Sequence, residues 1–582
     1  MQSNWAIKQL SEDNKKQLQD LSYSLGISDE LAKLLILRDV KTFDEAKMFF
    51  RPSLANLNDP FLMKDMKEAI DRLNRALGNK EKILVYGDYD VDGTTAVSLV
   101  YGFLKHYTKN IDYYIPDRYT EGYGISFKSI EYAKENGFTL VIALDCGIKA
   151  NSQIEKATEY GIDFIICDHH TPGEEIPKAV AVLDPYRVDC NYPYKHFSGC
   201  GIGFKLMQAF CLSNNIELKE VFGYLDLVAV SIASDIVPIT GENRILASFG
   251  LRKLNKKPSP GLKSIKDVCG ITETTTDIVD IVFKIGPRIN ASGRLYSGSE
   301  VVELLTTNDT NILLQKSTDI DGYNSERKDI DKATTEQAKE LFLQMKNSDD
   351  KKSIVLYNPL WNKGIVGIVA SRVAETFCRP TIILTDSENG FITGSGRSVT
   401  GFDLYSAIDS CRELLTNFGG HPYAAGLTFK KEFLNKFIEK FENYVAQTIT
   451  IEQLTPQIDI DTEIDFAKIT PKFIRILKQF APFGPKNMKP VFYTSNLMDF
   501  RNQSRLIGKD NTHARLTLTQ NGYAFFEGVA FCSNSMRDYD MAEVIKHLKE
   551  NGKIDICYTI EENTFNGKTT NQLIIKDLRM LM

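Results

Sequence analysis

The sequence predicts an α/β chain: two α/β lobes joined by a long helix, followed by a small all-β barrel. Three observations predict it. From Lys82 to Pro185 short continuous apolar runs alternate with helix formers, the pattern of a parallel sheet covered on both faces. That texture returns in SIVLYN, GIVGIVASRVAETF and TIILTD, after a polar stretch of helix formers, DGYNSERKDIDKATTEQAKELFLQM. Beyond Thr455 it changes to short alternating strands, with Asn-Gly turns at Asn521-Gly522 and Asn566-Gly567. A chain of 582 residues exceeds what one core holds, since single cores stop growing at about 250 to 300 residues.

The elements follow in order. Residues 1–60 read as an N-terminal helical cap, because DELAKLLILRDV and TFDEAKMFF are amphipathic and the Pro-containing RPSLANLNDP closes them off. Residues 61–305 form the first lobe, with strands in KILVYGDYD, FTLVIALDCG, IDFIICDHH and AVAVLDP and helices in TTAVSLVYGFLKHY and NSQIEKATEYG. Residues 306–350 are the connecting helix. Residues 351–450 are the second lobe, where GFITGSGRS is a strand and turn and LYSAIDSCRELLTNF a helix ending at Gly419-Gly420. Residues 451–582 alternate as HARLTLTQNGYAFFEGVAF does, which fits an OB-like barrel, a partly open fold that often binds single strands.

Composition narrows the class. Hydrophobic residues at 43% and charged residues at 25% are those of a soluble globular protein. The start, MQSNWAIKQLSEDNKK, lacks a basic segment followed by an apolar one, and no run reaches the roughly 18 apolar residues that span a bilayer. Ten scattered cysteines without a CxxC pair suggest buried reduced thiols, so the expected compartment is the cytoplasm. A net charge of −6 argues against uniform coating of nucleic acid, and any such site must be local. One basic stretch, with Arg252, Lys253, Lys256, Lys257, Lys263 and Lys266, is either such a contact or a solvated loop.

The chemistry lies at strand ends. Asp88, Asp90 and Asp92 stand in VYGDYDVDG, Asp145 in ALDCG, and Asp168, His169 and His170 in CDHH, each just past an apolar run. In an open parallel sheet ligands bind outside the carboxyl ends of the strands, near the point where strand order reverses. A lone Asp after a strand commonly caps the next helix, but three carboxylates within five residues repel one another unless cations neutralise them. Asp and His without an obligate thiolate suit Mn²⁺ or Mg²⁺, with Zn²⁺ open to the imidazoles, and manganese fits best. Cys146 and Cys167 border apolar runs and read as packing residues. Asp235 ends the apolar run LVAVSIASD, where a charge needs a partner or a metal.

The ordered series YGDYDVDG, LDCG, CDHH, ASD, GPRINASGRL, GSGRS and GGHPYAAG, covering nearly everything from about residue 60 onward, resembles the RecJ-type exonucleases of the DHH phosphoesterase superfamily. The resemblance implies a DHH domain, a DHHA1 domain and the OB-like barrel. It implies a two-metal phosphodiesterase degrading single-stranded DNA 5′ to 3′, with two divalent ions on Asp90, Asp92, Asp145, His169 and Asp235. Asp145 would bridge the ions, His170 would lie next to the scissile phosphate, and Asp88 would stand in or near the metal shell. Arg288 and Arg294, with Asn290 and Ser292 between them, can fork onto phosphate oxygens. In the second lobe Ser395, Arg397, Gly419, Gly420 and His421 would hold the strand end away from the scissile bond, where small residues let amides approach an anion.

Other features are weaker. SGCGIGFKL is a Gly-rich turn into a helix, better suited to close packing than to a nucleotide. In the barrel Lys509, Arg515, Phe525, Phe526 and Phe565 could line a base-stacking groove or the core. Two other classes compete with the exonuclease: a DHH phosphodiesterase for short oligonucleotides or cyclic dinucleotides, which generally lacks the barrel, and a non-catalytic relative lacking the full ligand set. The resemblance also implies a monomer acting in DNA repair and recombination, with a single-strand-binding protein and a helicase as partners. Longer members carry a further C-terminal domain, so contacts ascribed to it are not expected here.

Overall fold

The computed structural model describes residues 3–272, 275–348, 350–532, 536, 539–565 and 568–581. The expected turn at Asn566-Gly567 and the side chain of Phe565 lie outside them. The chain divides into two compact units, one of residues 47–327 with 480–488, the other of 1–46, 328–479 and 489–582. One boundary falls between Ala46 and Lys47, within the stretch the sequence marks as a single cap.

The first unit is built on a five-stranded, all-parallel sheet in the spatial order Ile111–Tyr114, Ile83–Gly87, Leu140–Leu144, Asp163–Cys167, Ala181–Leu183. Its central strands are continuous apolar runs because both faces are covered. Ile83, Val85, Leu140 and Ile142 pack with the helices Val91–Leu104, Gly199–Ser213 and Leu225–Ser234. Leu84, Tyr86, Val141 and Ala143 face the helices Phe127–Glu135 and Asn151–Glu159. The first strand in sequence has its successor on one side and the third strand on the other, so strand order reverses between Ile83–Gly87 and Leu140–Leu144.

In the second unit a five-stranded sheet runs in the order Asn417–His421, Ala424–Lys430, Phe391–Arg397, Thr381–Asp386, Ile354–Tyr357, parallel only in its last pair. The sequence expectation fails here in one place. The helix stops at Asp409, and Asn417–His421, with Gly419-Gly420, is an edge strand instead of a helix end. Gly420 permits this, because a Cβ on it would lie 2.3 Å from the carbonyl oxygen of Ala424. The C-terminal strands close a five-membered ring: Phe492–Asp499, Lys553–Phe565, Lys568–Leu581, Phe525–Ala530 and His513–Thr519, the last pairing back to the first. This is the OB-like barrel the alternation predicts.

The N-terminus also departs from the helical expectation. Asn4–Ile7 is a strand paired in parallel with Gln457–Ile460, and the Trp5 indole donates to Asp577 at 2.9 Å. Four residues are too few for a periodic signal, and their partner lies far along the chain. The expected connecting helix is present as Thr310–Gln344, 35 residues long.

In the first unit the buried Arg244 guanidinium donates to the carbonyls of Phe49, Phe480 and Ala481 at 2.9 to 3.0 Å and stacks on the Phe49 ring. Arg244→Met keeps the stem but removes this donor from the Phe49 and Ala481 carbonyls, while Asn487 Nδ2 still donates to the Phe480 carbonyl at 2.8 Å; the cost is about 1–3 kcal/mol for each carbonyl left dry. Urea unfolding should show a loss of at least about 2 kcal/mol; an unchanged midpoint would remove Arg244 as the clamp on residues 480–488.

Candidate metal centre

The site forms where the strand order reverses. The turn after Ile83–Gly87 is tight, since a Cβ on Gly93 would meet the backbone oxygen of Asp88 at 2.3 Å. The Gly of DYDVDG is thus required by geometry. Asp90 caps the helix Val91–Leu104, accepting from the Gly93 amide at 3.0 Å. Asp88 is fully buried, with the Tyr89 and Gly124 backbone against its carboxylate and no side-chain donor on it among the described residues. Burial, then the charge of Asp90, pushes its carboxyl well above the usual range. Burial and Asp92 push Asp90 the same way.

Asp145 follows the neighbouring strand with a left-handed φ of 59°, which turns its side chain out of the sheet's alternation. Its Oδ1 lies 3.0 Å from His169 Nε2, and burial with the charges of Asp92, Asp90 and Asp235 raises its carboxyl strongly. Asp235, at the C-terminal end of helix Leu225–Ser234, is pushed up to about 7 by burial and Asp92. The single nitrogen His169 Nε2 therefore faces three carboxylates, at 3.0 Å from Asp145 and 3.6 Å from both Asp92 and Asp235. Burial disfavours the charged imidazole, but Asp235 and Asp92 outweigh it and hold the pKa above the ordinary value. Two sets of donor atoms lie within 4.8 Å of one another, Asp145–His169–His170 and Asp92–His169–Asp235. Oxygen and imidazole donors around buried, mutually repelling carboxylates fit a pair of hard divalent ions.

Asp168 plays another part. Burial would raise it, yet His170, His169 and the Ile148 amide bring it down to about 2. It accepts from the amides of His169 and Ile148 and from His170 Nδ1, at 2.7 to 2.9 Å, and so locks the DHH turn. His170 Nε2 then faces the Tyr123 hydroxyl at 3.1 Å. Tyr123 and the fully buried Asp184, raised to about 7 mainly by burial, are site neighbours that the sequence reading missed. Asp184 had a visible signal, as it follows the strand Ala181–Leu183 in the same way as the others. Cys146 and Cys167 are buried and burial drives both thiols up, so they are packing residues.

Helix Gly286–Leu295 comes directly against the acidic loop, because a Cβ on Gly293 would sit 2.4 Å from the Tyr89 carbonyl oxygen. On it Arg288 pairs with Asp321 at 2.7 Å and also donates to the Lys284 carbonyl, Asn290 is half-buried, and the Arg294 carbonyl accepts from Tyr119. Ser292 is spent on the Ser297 carbonyl at 2.6 Å. The basic stretch is helical, not a loop, and partly engaged: Lys253 pairs with Asp226, Lys266 caps Leu254, and Arg252 lies over Phe249.

In the second unit, pairing aligns His421, Ala424 and Arg397 in one row across three strands, and Gly420, Ala425 and Gly396 in the next. The Arg397 guanidinium donates to Ser395 Oγ at 2.7 Å and to the Gly396 carbonyl at 2.8 Å. No carboxylate faces it among the described residues, and burial lowers its pKa. A half-buried cation without a carboxylate is suited to an anion.

The fold and this centre define a DHH-type phosphoesterase. Residues 82–232 match the DHH family N-terminal domain, 350–447 the DHHA1 domain and 460–577 the RecJ OB domain. The chain is 35% identical to the single-stranded-DNA-specific exonuclease RecJ of Bacillus subtilis, over 98% of this chain and 70% of that one. It is 31% identical to that of Dickeya dadantii, over 94% and 95%. The crystal structure of RecJ in complex with Mn²⁺ from Thermus thermophilus matches with a TM-score of 0.83 and 25% identity, covering 99% of this chain and 79% of that one. The chain belongs to the RecJ family of single-stranded-DNA-specific exonucleases.

Mn²⁺ at about 100 times its dissociation constant should stabilise the metal-free protein by about 2.7 kcal/mol. A chelator should reverse the shift. Asp145→Ala should abolish most of it while leaving the metal-free protein folded, as read by thermal melting with and without Mn²⁺; a full shift in that variant would exclude Asp145 as a ligand.

Proposed function

We propose that this chain is a metal-dependent exonuclease that degrades single-stranded DNA from its 5′ end by hydrolysing phosphodiester bonds, in DNA repair and recombination. The observation that carries the reading is His169 Nε2 surrounded by Asp92, Asp145 and Asp235 at the sheet's switch point. In this reading Asp90, Asp92, Asp145, His169 and Asp235 hold two divalent ions, manganese by preference and magnesium as the alternative. Bound there, such ions supply an activated water and neutralise charge on the departing oxygen.

The protein's own groups do the rest. Asp88, buried beside Asp90, is assigned to the edge of the ion-holding pocket. Asp168 fixes His170 through Nδ1, so that Nε2 faces the Tyr123 hydroxyl at the site. The same carboxylate favours the imidazolium, despite burial, which suits Nε2 to donating to a phosphate oxygen. Arg288, Asn290 and Arg294 lie on the helix against the acidic loop and are assigned to phosphate contacts near the scissile bond. Ser395, Arg397, Gly420 and His421 are assigned to a phosphate at the strand end, with Arg397 as its main cation.

The barrel favours a polynucleotide substrate over cyclic dinucleotides, since it offers surface for a longer strand. The reading extends to a monomer in the cytoplasm, working beside a single-strand-binding protein and a helicase. Among the described residues no helix is long and apolar enough to cross a membrane.

Labelled single-stranded, duplex and cyclic dinucleotide substrates test the reading with Mn²⁺ present. The expected result is mononucleotide release from the 5′ end of the single strand. Arg397→Ala should raise KM for a 5′-phosphorylated strand by about 10- to 100-fold, with kcat little changed; release from the 3′ end, or preference for the cyclic dinucleotide, would overturn it.

A further inference from the structure

The Gly-rich turn SGCG, which the sequence suits to close packing, enters helix Gly199–Ser213 at the candidate metal centre. Asp92 Oδ2 accepts from the Gly199 amide at 2.6 Å, and Oδ1 from the Cys200 amide at 2.8 Å. Oδ1 also accepts from the Ser231 hydroxyl at 2.7 Å. Ser231 has only one proton to give and spends it on Asp92, so the Ser198 hydroxyl 2.5 Å away must donate to Ser231. Ser198 in turn caps the helix, accepting from the Gly201 amide. All of these groups are buried. Gly199 is confined by the neighbouring ligand, because a Cβ on it would lie 2.4 Å from Asp145 Cβ.

A carboxylate offers about four lone-pair directions, and three of Asp92's are taken. The free one is on Oδ2, the oxygen 3.6 Å from His169 Nε2. We propose that Ser231 and the first turn of helix Gly199–Ser213 are positioning residues that restrict Asp92 to one-oxygen ligation of a single ion through Oδ2, leaving bridging to another carboxylate. This rests on the reading of Asp92 as a metal ligand. The donors act before any ion arrives: they fix the rotamer and leave one lone pair of Oδ2 facing the site. Ordering Asp92 is then a cost of folding and not of metal binding, so the site binds more tightly than mobile carboxylates would.

Mn²⁺ titration calorimetry on the full chain tests this. Ser231→Ala removes one donor; Cys200→Pro removes another, at a first-turn position where proline is tolerated. Each should weaken a Mn²⁺ site by about 10- to 100-fold. Activity should recover at raised Mn²⁺, giving a shifted metal requirement with kcat largely kept. Ser248→Ala on the neighbouring helix, whose hydroxyl donates only to the Arg244 carbonyl, should bind as the wild type does. If Ser231→Ala fails to fold, Cys200→Pro carries the test, since it leaves the hydroxyl chain in place. Wild-type affinity in both variants would overturn the proposal. Asp92→Asn separates the two readings: wild-type affinity there would overturn Asp92 as a ligand, whereas weak binding there with normal Ser231→Ala and Cys200→Pro would overturn only the positioning role. A crystal with Mn²⁺ showing both Asp92 oxygens on metal would also overturn it.

Discussion

The structure is organised around buried like charge. Asp88, Asp90, Asp145 and Asp235 crowd the carboxyl ends of two adjacent strands, and burial with mutual repulsion raises every one of their carboxyls. Such mutual repulsion favours counter-ions among these carboxylates. Divalent cations resolve the conflict, and the fold is arranged to receive them. A parallel sheet opens a crevice where strand order reverses, and the helix that enters there directs its first amides at a carboxylate.

Around that cluster, close approach sets which residues are glycine. Gly93 lets the acidic loop fold back on Asp88, Gly199 lets a helix start against Asp145, and Gly293 lets the arginine-bearing helix rest on Tyr89. Each sits where a Cβ would overlap backbone or the Asp145 side chain. They bring three sequence-distant segments together, which explains how the helix carrying Arg288 and Arg294 comes to rest on a loop almost two hundred residues earlier. Arg397 in the second unit shows the reverse electrostatics. It is a half-buried cation with a serine and a carbonyl for company.

Much of this was legible in the chain. The candidate ligands stood out because a charge after a buried strand has few innocent explanations, and because their order matched a known series. The strand Asn417–His421 was not legible, since Gly-Gly after helix formers is also how helices end, and only the pairing with Ala424–Lys430 decides between them. The strand Asn4–Ile7 was hidden for a similar reason: its partner, Gln457–Ile460, supplies the hydrogen bonds that make it a strand. Asp184 carried the same signal as Asp145 and was passed over.

By itself the sequence determined the sheet type, the division into lobes and barrel, and the residue types able to bind metal, because periodicity and burial of apolar runs are local properties. Tertiary structure alone decided which atoms face one another. It gave Asp168 the task of locking the DHH turn and committed three of Asp92's lone pairs to protein donors. It also turned SGCG from a packing motif into a contact with the metal centre. Hydrogen bonds between segments about a hundred residues apart depend on the folded path of the chain, which no window of sequence contains.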